Sequence, residues 1–174
     1  MTDKQLNVAP SPSPPPVSLP EDLKSQVKFG PPSDEDMVIL ASLRSSSEPW
    51  KGRGEGPPES LEALTKLRPF ISVARLSGSV VGYITIERDG PVPGAAYLRN
   101  IVVKQELRQK GMGAVVLDQG LTVARDMNRK TLALRVDPAN SPAVSFYRKA
   151  GFTTVATVVS KKSGKLRLLM SREL

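Results

Sequence analysis

The chain has 174 residues, a formal net charge of +8, no cysteine and no histidine. These absences exclude disulfides, a thiol nucleophile, the usual imidazole base with its Ser-His-Asp arrangement, and the common histidine- or cysteine-based zinc sites, so any chemistry must use carboxylates, tyrosine, lysine, backbone or water. The length fits one domain with a full hydrophobic core plus a tail, and the sequence shows neither an apolar run of membrane-spanning length nor a signal-peptide pattern, which makes the cytoplasm the default compartment.

Residues 1–32 carry Pro10, Pro12, Pro14, Pro15, Pro16 and Pro20 among serines and other polar residues. Such a composition buries too little apolar area to offset chain entropy, and a disordered or extended tail is expected, with the folded domain at 33–174. Ser33 can cap a helix whose first turn holds Asp34, Glu35 and Asp36, with Met37, Ile39, Leu40 and Leu43 as its buried face. After a glycine- and proline-containing loop, Leu61, Leu64 and Leu67 mark a helix over 59–67 that stops before Pro69. These helices either wall an acceptor substrate or simply cover the sheet.

Two strands follow, Phe70 to Leu76 and Val80 to Ile86, joined at Ser77-Gly78-Ser79. Gly82 inside the second predicts a bulge or a close backbone approach. A loop at 89–94 leads into a third strand over 95–103, giving an antiparallel meander. Ala114, Val115, Leu117, Leu121, Ala124 and Met127 recur at helical spacing over 112–128, and Thr131 to Val136 is the next strand. A strand, crossover helix and strand of this length pair in parallel. Asn140, Ser141 and Pro142 open another helix that Gly151 ends, and Thr153 to Val159 with Leu166 to Met170 form a closing hairpin.

Between the third strand and its helix lies Arg108-Gln109-Lys110-Gly111-Met112-Gly113, followed by Ala114. Two glycines let a backbone approach a ligand closely, two cations flank the turn, and the helix start offers unpaired N–H groups and the positive end of a dipole. The stretch reads as a cradle for a pyrophosphate. It is neither a dinucleotide fingerprint, because Val116 stands where the third glycine belongs, nor a Walker A loop, because no Gly-Lys-Ser/Thr follows. Residues 99–174 hold 15 Lys/Arg against 5 Asp/Glu. This positive field can steer a polyanionic ligand or face nucleic acid, although no standard nucleic-acid motif is present.

A second stretch, Asn140 to Phe152, then gains meaning. With the glycine turn it closely resembles the GNAT superfamily of N-acetyltransferases, whose pattern Arg/Gln-x-x-Gly-x-Gly/Ala is followed by Asn-x-x-Ala-x-x-Phe/Leu-Tyr-x-x-x-Gly-Phe; Asn140, Ala143, Phe146, Tyr147, Gly151 and Phe152 fit it. The resemblance implies an α/β (α+β) fold: a mixed, mostly antiparallel sheet of six or seven strands, splayed at the centre and flanked by about four helices. It also implies acetyl-CoA as cosubstrate, held between the strands at Ile101 to Val103 and Leu134 to Val136. Backbone groups of Ile101, Val102 and Val103 would bond the pantetheine arm. The amides of Arg108, Gln109, Lys110, Gly111, Met112, Gly113 and Ala114 would take the pyrophosphate. Asn140 would bond the arm or order its helix, and Tyr147 would protonate the departing thiolate.

Elementary chemistry is compatible with those roles, since a tyrosine is protonated at neutral pH and can serve as an acid. The same residues also have simpler readings, Tyr147 as a core aromatic and Asn140 as a helix cap. Many relatives carry a glutamate on the strand before the cradle, where this chain has Tyr97, Leu98 and Arg99, and relatives that acetylate protein N-termini often have a glutamate in the later strand, where it has Arg135; both departures weigh against a protein N-terminus as acceptor. Glu87 and Asp137 remain as bases acting through water. The expected activity is acetyl transfer to a primary amine of a small molecule, peptide or protein, with a homodimer left open and no membrane partner. A catalytically weak acyl-CoA sensor and a basic ribosome- or nucleic-acid-associated protein are the alternatives.

Overall fold

The computed structural model describes residues 19–174. Its centre is a seven-stranded sheet in the order β1-β2-β3-β4-β5-β7-β6. The strands are β1 (Lys28–Gly30), β2 (Ile71–Leu76), β3 (Ser79–Glu87), β4 (Ala96–Val103), β5 (Thr131–Val136), β6 (Thr153–Val159) and β7 (Leu166–Glu173). All neighbours are antiparallel except β4 and β5, which pair in parallel across the helical crossover, as expected for a strand-helix-strand unit. The helices are α1 (Glu21–Ser25), α2 (Asp34–Ser45), α3 (Pro57–Leu67), α4 (Met112–Asp126) and α5 (Ser141–Lys149).

Two apolar clusters sandwich the sheet. On one face Met112, Val116, Leu117, Leu121 and Ala124 of α4, with Val144 and Tyr147 of α5, pack on Ile84, Ile86, Leu98, Leu132 and Leu134. On the other, Met37, Leu40 and Ala41 of α2 and Leu64 of α3 pack on Val73, Tyr83 and Val102, with Trp50 from the connecting loop. The apolar spacing of α4 therefore does what its sequence demands. Ser33 caps α2 as expected: its side chain accepts from Asp36 N at 3.1 Å while the Asp36 carboxylate accepts from Ser33 N at 2.7 Å.

The tail expected through Pro32 needs correction over part of its length. Residues 19–30 hold α1 and β1, with Lys28 to Gly30 paired to Val73 to Arg75 of β2. Val27 is buried, and Leu19 and Phe29 pack against the first cluster. A few apolar side chains among the prolines and charges suffice to anchor an edge strand, which composition averaged over 32 residues conceals. The count of helices rises from about four to five for the same reason. The remainder of the expected tail, residues 1–18, lies outside the described residues.

Gly82 has the close approach its position in a strand suggested: a Cβ there would lie 2.5 Å from the carbonyl oxygen of Val102. Beside it, Val81 is the extra residue of a bulge, since Ala74 faces Gly82 and Arg75 faces Val80. A further bulge shapes the centre of the sheet. Thr85 faces Asn100 and Ile86 faces Leu98, so Arg99 of β4 has no partner on β3. Leu98 opposite Leu134 is also the last pair joining β4 to β5. Beyond it the two strands part, β4 staying with β3 and Arg135 and Val136 of β5 staying with β7.

Candidate active site

A cavity opens where β4 and β5 part. Ile101, Val102 and Val103 line this cavity of about 260 Å³ together with Arg108, Asn140, Pro142 and Ala143, and with Ser47 and Glu48 of the α2–α3 loop. The fold thus brings the strand backbone, one cation of the glycine turn and the asparagine of the second motif to one opening. Tyr147 is not among the lining residues. It is 7% exposed, with its ring centroid 5.3 Å from that of Phe146 and 5.7 Å from that of Phe152. Burial pushes its phenol well above the ordinary value, and the nearby Tyr97 of β4 pushes in the same direction. A protonated phenol is the form an acid needs.

Asn140 is a cap: its Oδ1 accepts from Ala143 N at 3.2 Å. The two readings of this residue are compatible, because the cap uses the amide oxygen and leaves the amide nitrogen for another partner. The start of α4 differs. Gly111 occupies its N-cap position at φ 88°, a left-handed conformation that favours glycine, and no side chain caps the helix. The first-turn amides of α4 therefore keep the character of an anion site. Gln109 is also left-handed, at φ 58°, so the turn bends sharply at both residues.

Two residues of the turn also have structural roles. The Arg108 guanidinium donates to the carbonyl of Val103 at 3.0 Å and to Ser47 Oγ at 2.7 Å. It ties the end of β4 to the α2–α3 loop. Gly113 makes room for a ring, with Phe146 Cε2 standing 3.4 Å from the place its Cβ would take. Sequence alone reads a glycine at a helix start as space for a ligand; here a neighbouring helix also packs close to it, leaving room for a methyl group but little more.

The α2–α3 loop is braced by a buried ion pair that sequence reading missed. Arg44 Nε lies 2.6 Å from Glu55 Oε1, which also accepts from Ser60 Oγ at 2.8 Å. The Arg44 guanidinium stacks over Trp50 at 4.5 Å. Burial works to raise the Glu55 pKa, but the hydrogen bonds from Arg44 and Ser60 and the charges of Arg44 and Arg53 outweigh it, and the net direction is down. No local pattern joins residues eleven apart in a glycine-rich loop. Asn100 was equally missed, although a polar residue inside Leu98 to Val103 is itself a signal. It is 5% exposed on the face opposite Ile101, facing Thr85, and neither Asn100 Nδ2 nor Thr85 Oγ1 has a partner.

The carboxylates expected to act through water are engaged. Glu87 is paired with Arg99. Asp137 is paired with Arg167 at 3.1 Å and accepts from Ala139 N at 3.0 Å. Glu48, which no sequence pattern marked, is the carboxylate that lines the cavity, where its Oε2 accepts from Gly52 N at 3.1 Å. Among the described residues no group of His, Cys, Asp and Glu could hold a metal ion, and no helix is long and apolar enough to cross a membrane.

Comparison with known proteins agrees with this geometry. Residues 38–152 match the model of the acetyltransferase (GNAT) family, and the chain belongs to that family. It is 30% identical over 92 residues to a mycothiol acetyltransferase of Propionibacterium freudenreichii, covering 51% of this chain and 29% of the relative. It is 27% identical over 105 residues to an N-alpha-acetyltransferase of Sulfurisphaera tokodaii, covering 55% of this chain and 63% of the relative. The chain thus spans less than two thirds of either. Among solved structures, Ard1 from Thermoplasma volcanium superposes with a TM-score of 0.69 at 24% identity, covering 86% of this chain and 98% of that one. That likeness shows the fold.

Proposed function

We propose that the chain transfers an acetyl group from acetyl-CoA to a primary amine by direct attack in a ternary complex. The observation that carries this reading is the separation of β4 from β5 beyond Leu98 and Leu134, with a cavity walled by Ile101 to Val103, Asn140 and Arg108, the last of these from the turn that leads into the uncapped start of α4. The exposed backbone edge of β4 suits the amide-rich pantetheine arm, and the α4 amides with Lys110 suit the diphosphate.

In the reaction the amine nitrogen attacks the thioester carbonyl carbon, the C–S bond breaks, and the products are an amide and the free thiol. The departing sulfur takes a proton from the Tyr147 phenol, which lies one turn of α5 beyond the cavity-lining Ala143, once the bound thioester reaches past that lining. The attacking nitrogen gives one up to Glu48, directly or through water. Without a cysteine in the chain, a thiol-bound acyl-enzyme has no route. The similarity to both a mycothiol acetyltransferase and an N-alpha-acetyltransferase leaves a small molecule and a protein N-terminus as acceptor classes.

Calorimetry with acetyl-CoA, followed by thiol release across a panel of peptide N-termini, amino sugars, amino acids and polyamines, tests the reading. Binding in the ~1 μM to 1 mM range together with thiol release by one amine class is the expected result. Absence of acetyl-CoA binding overturns it. Binding with no thiol release from any amine leaves the sensor function in its place.

A further inference from the structure

We infer that Lys24, on the short helix α1 that precedes the sheet, is a ligand of the cofactor's diphosphate. This assignment rests on the reading of the α4 start as the acetyl-CoA phosphate site.

Three observations place Lys24 there. First, α1 is docked on the glycine turn: Leu19 N donates to the carbonyl of Lys110 at 3.0 Å. Second, the lysine stem lies directly on Gly111, where a Cβ would stand 2.9 Å from Lys24 Cε and 3.1 Å from its Nζ. Gly111 lacks a side chain because its backbone is left-handed, and the flexible end of the lysine lies in the space this leaves. Third, of the two cations in the turn one is committed, because the Arg108 guanidinium is held by Val103 and Ser47, which leaves Lys110 and room for a second charge beside it.

The state of Lys24 suits the task. Its side chain is 18% exposed and its partner Glu21, 2.5 Å away, is 87% exposed. A pair with one fully solvated partner is weak and is readily exchanged for a doubly charged ligand. The lysine ammonium is a compact charge with three donors, able to turn from Glu21 to phosphate oxygens without moving the backbone. The N-terminal segment is then part of the binding site as well as an edge of the sheet.

The test compares wild type, Lys24→Met and Lys24→Arg as full-length chains, with acetyl-CoA by calorimetry and S-acetylpantetheine, which lacks the diphosphate, by ligand-detected NMR. Lys24→Met is expected to weaken acetyl-CoA about tenfold and to flatten the dependence of its Kd on salt, as loss of a charged hydrogen bond requires. S-acetylpantetheine should bind all three alike, and Lys24→Arg should recover most of the affinity. Acetyl-CoA affinity within about twofold of wild type in Lys24→Met, or equal losses for both ligands, overturns the assignment. Failure of the wild type to bind acetyl-CoA strikes instead at the cradle itself.

Discussion

Gly113 at the start of α4 lies against the ring of Phe146 on α5, whose Cε2 is 3.4 Å from the position of an added Cβ. The two motifs of the sequence therefore meet in space, the ring of one standing at contact distance from the glycine of the other. A methyl group sits at the limit of ordinary contact, and Gly113→Ala should change acetyl-CoA affinity by less than about threefold. A carboxylate on a longer stem forces the helices apart and repels phosphate, so Gly113→Glu should weaken binding more than about a hundredfold. Calorimetry with a thermal melt on each variant separates lost affinity from lost fold.

Tyr147→Phe keeps the tilted and edge-to-face ring contacts with Phe146 and Phe152 and removes only the hydroxyl. If the phenol protonates sulfur, kcat should fall by roughly a hundredfold while the Kd for acetyl-CoA stays within about twofold. Because the Tyr147 pKa is raised, the phenol stays protonated through the neutral range and contributes no titration to the rate profile there. Unchanged kcat in Tyr147→Phe would remove the residue from the chemistry.

Tyr83, Tyr97 and Tyr147 are all the tyrosines of the chain, and burial raises the pKa of each. The folded state therefore holds these protons above the ordinary tyrosine value of 10.0, around which the unfolded chain releases them. The stability is fully present below that pH. Above it the unfolded state binds fewer protons, so stability falls as pH rises, by up to about 1.4 kcal/mol per pH unit for each tyrosine. Urea midpoints measured from pH 8 to 11 should drop steeply only in the upper half of that range, and Tyr83→Phe should lessen the drop. A flat profile would contradict the burial of these hydroxyls.

Glu55 holds Arg44 in place, and the arginine side chain is 9% exposed against 19% for the glutamate. Glu55→Gln leaves a guanidinium under the α2–α3 loop without its counter-charge, at a cost of about 1–2 kcal/mol read from urea unfolding. The lowered Glu55 pKa means that the same support is present above the unfolded carboxylate value and is lost as pH falls through the folded one. Arg44→Met with Glu55→Gln should recover part of the loss, since a loop with neither charge has none left unpaired.

Much of the architecture was legible because period and punctuation agree along most of the chain. Thr131 to Val136 and Thr153 to Val159 are strands over the spans their β-branched residues predict, and Ser33 and Asn140 cap the helices they were expected to cap. The parallel pairing of β4 with β5 followed from the length of the crossover alone. Long-range partnerships were invisible. Arg108 reads as a phosphate ligand by position, and only the fold shows that Ser47, 61 residues earlier, occupies its guanidinium. Glu48 and Lys24 reach the site from loops and helices whose local sequence carries no mark of it. Edge strand β1 was hidden by its proline-rich surroundings, since an edge needs partners along one side only.

The unpaired Arg99 gives β4 one residue more than β3 can match. Leu98 and Ile101, three apart, consequently turn toward the same α4 layer, while Val102 turns to the other. In an unbroken strand residues three apart point to opposite sides. Removing Arg99 would therefore force half of this strand to present its aliphatic groups to the wrong neighbours or to slide along β3 by one place. Whether the centre of the molecule is a continuous wall or a doorway is thus decided by a count of peptide units, and no exchange of one side chain for another can undo it.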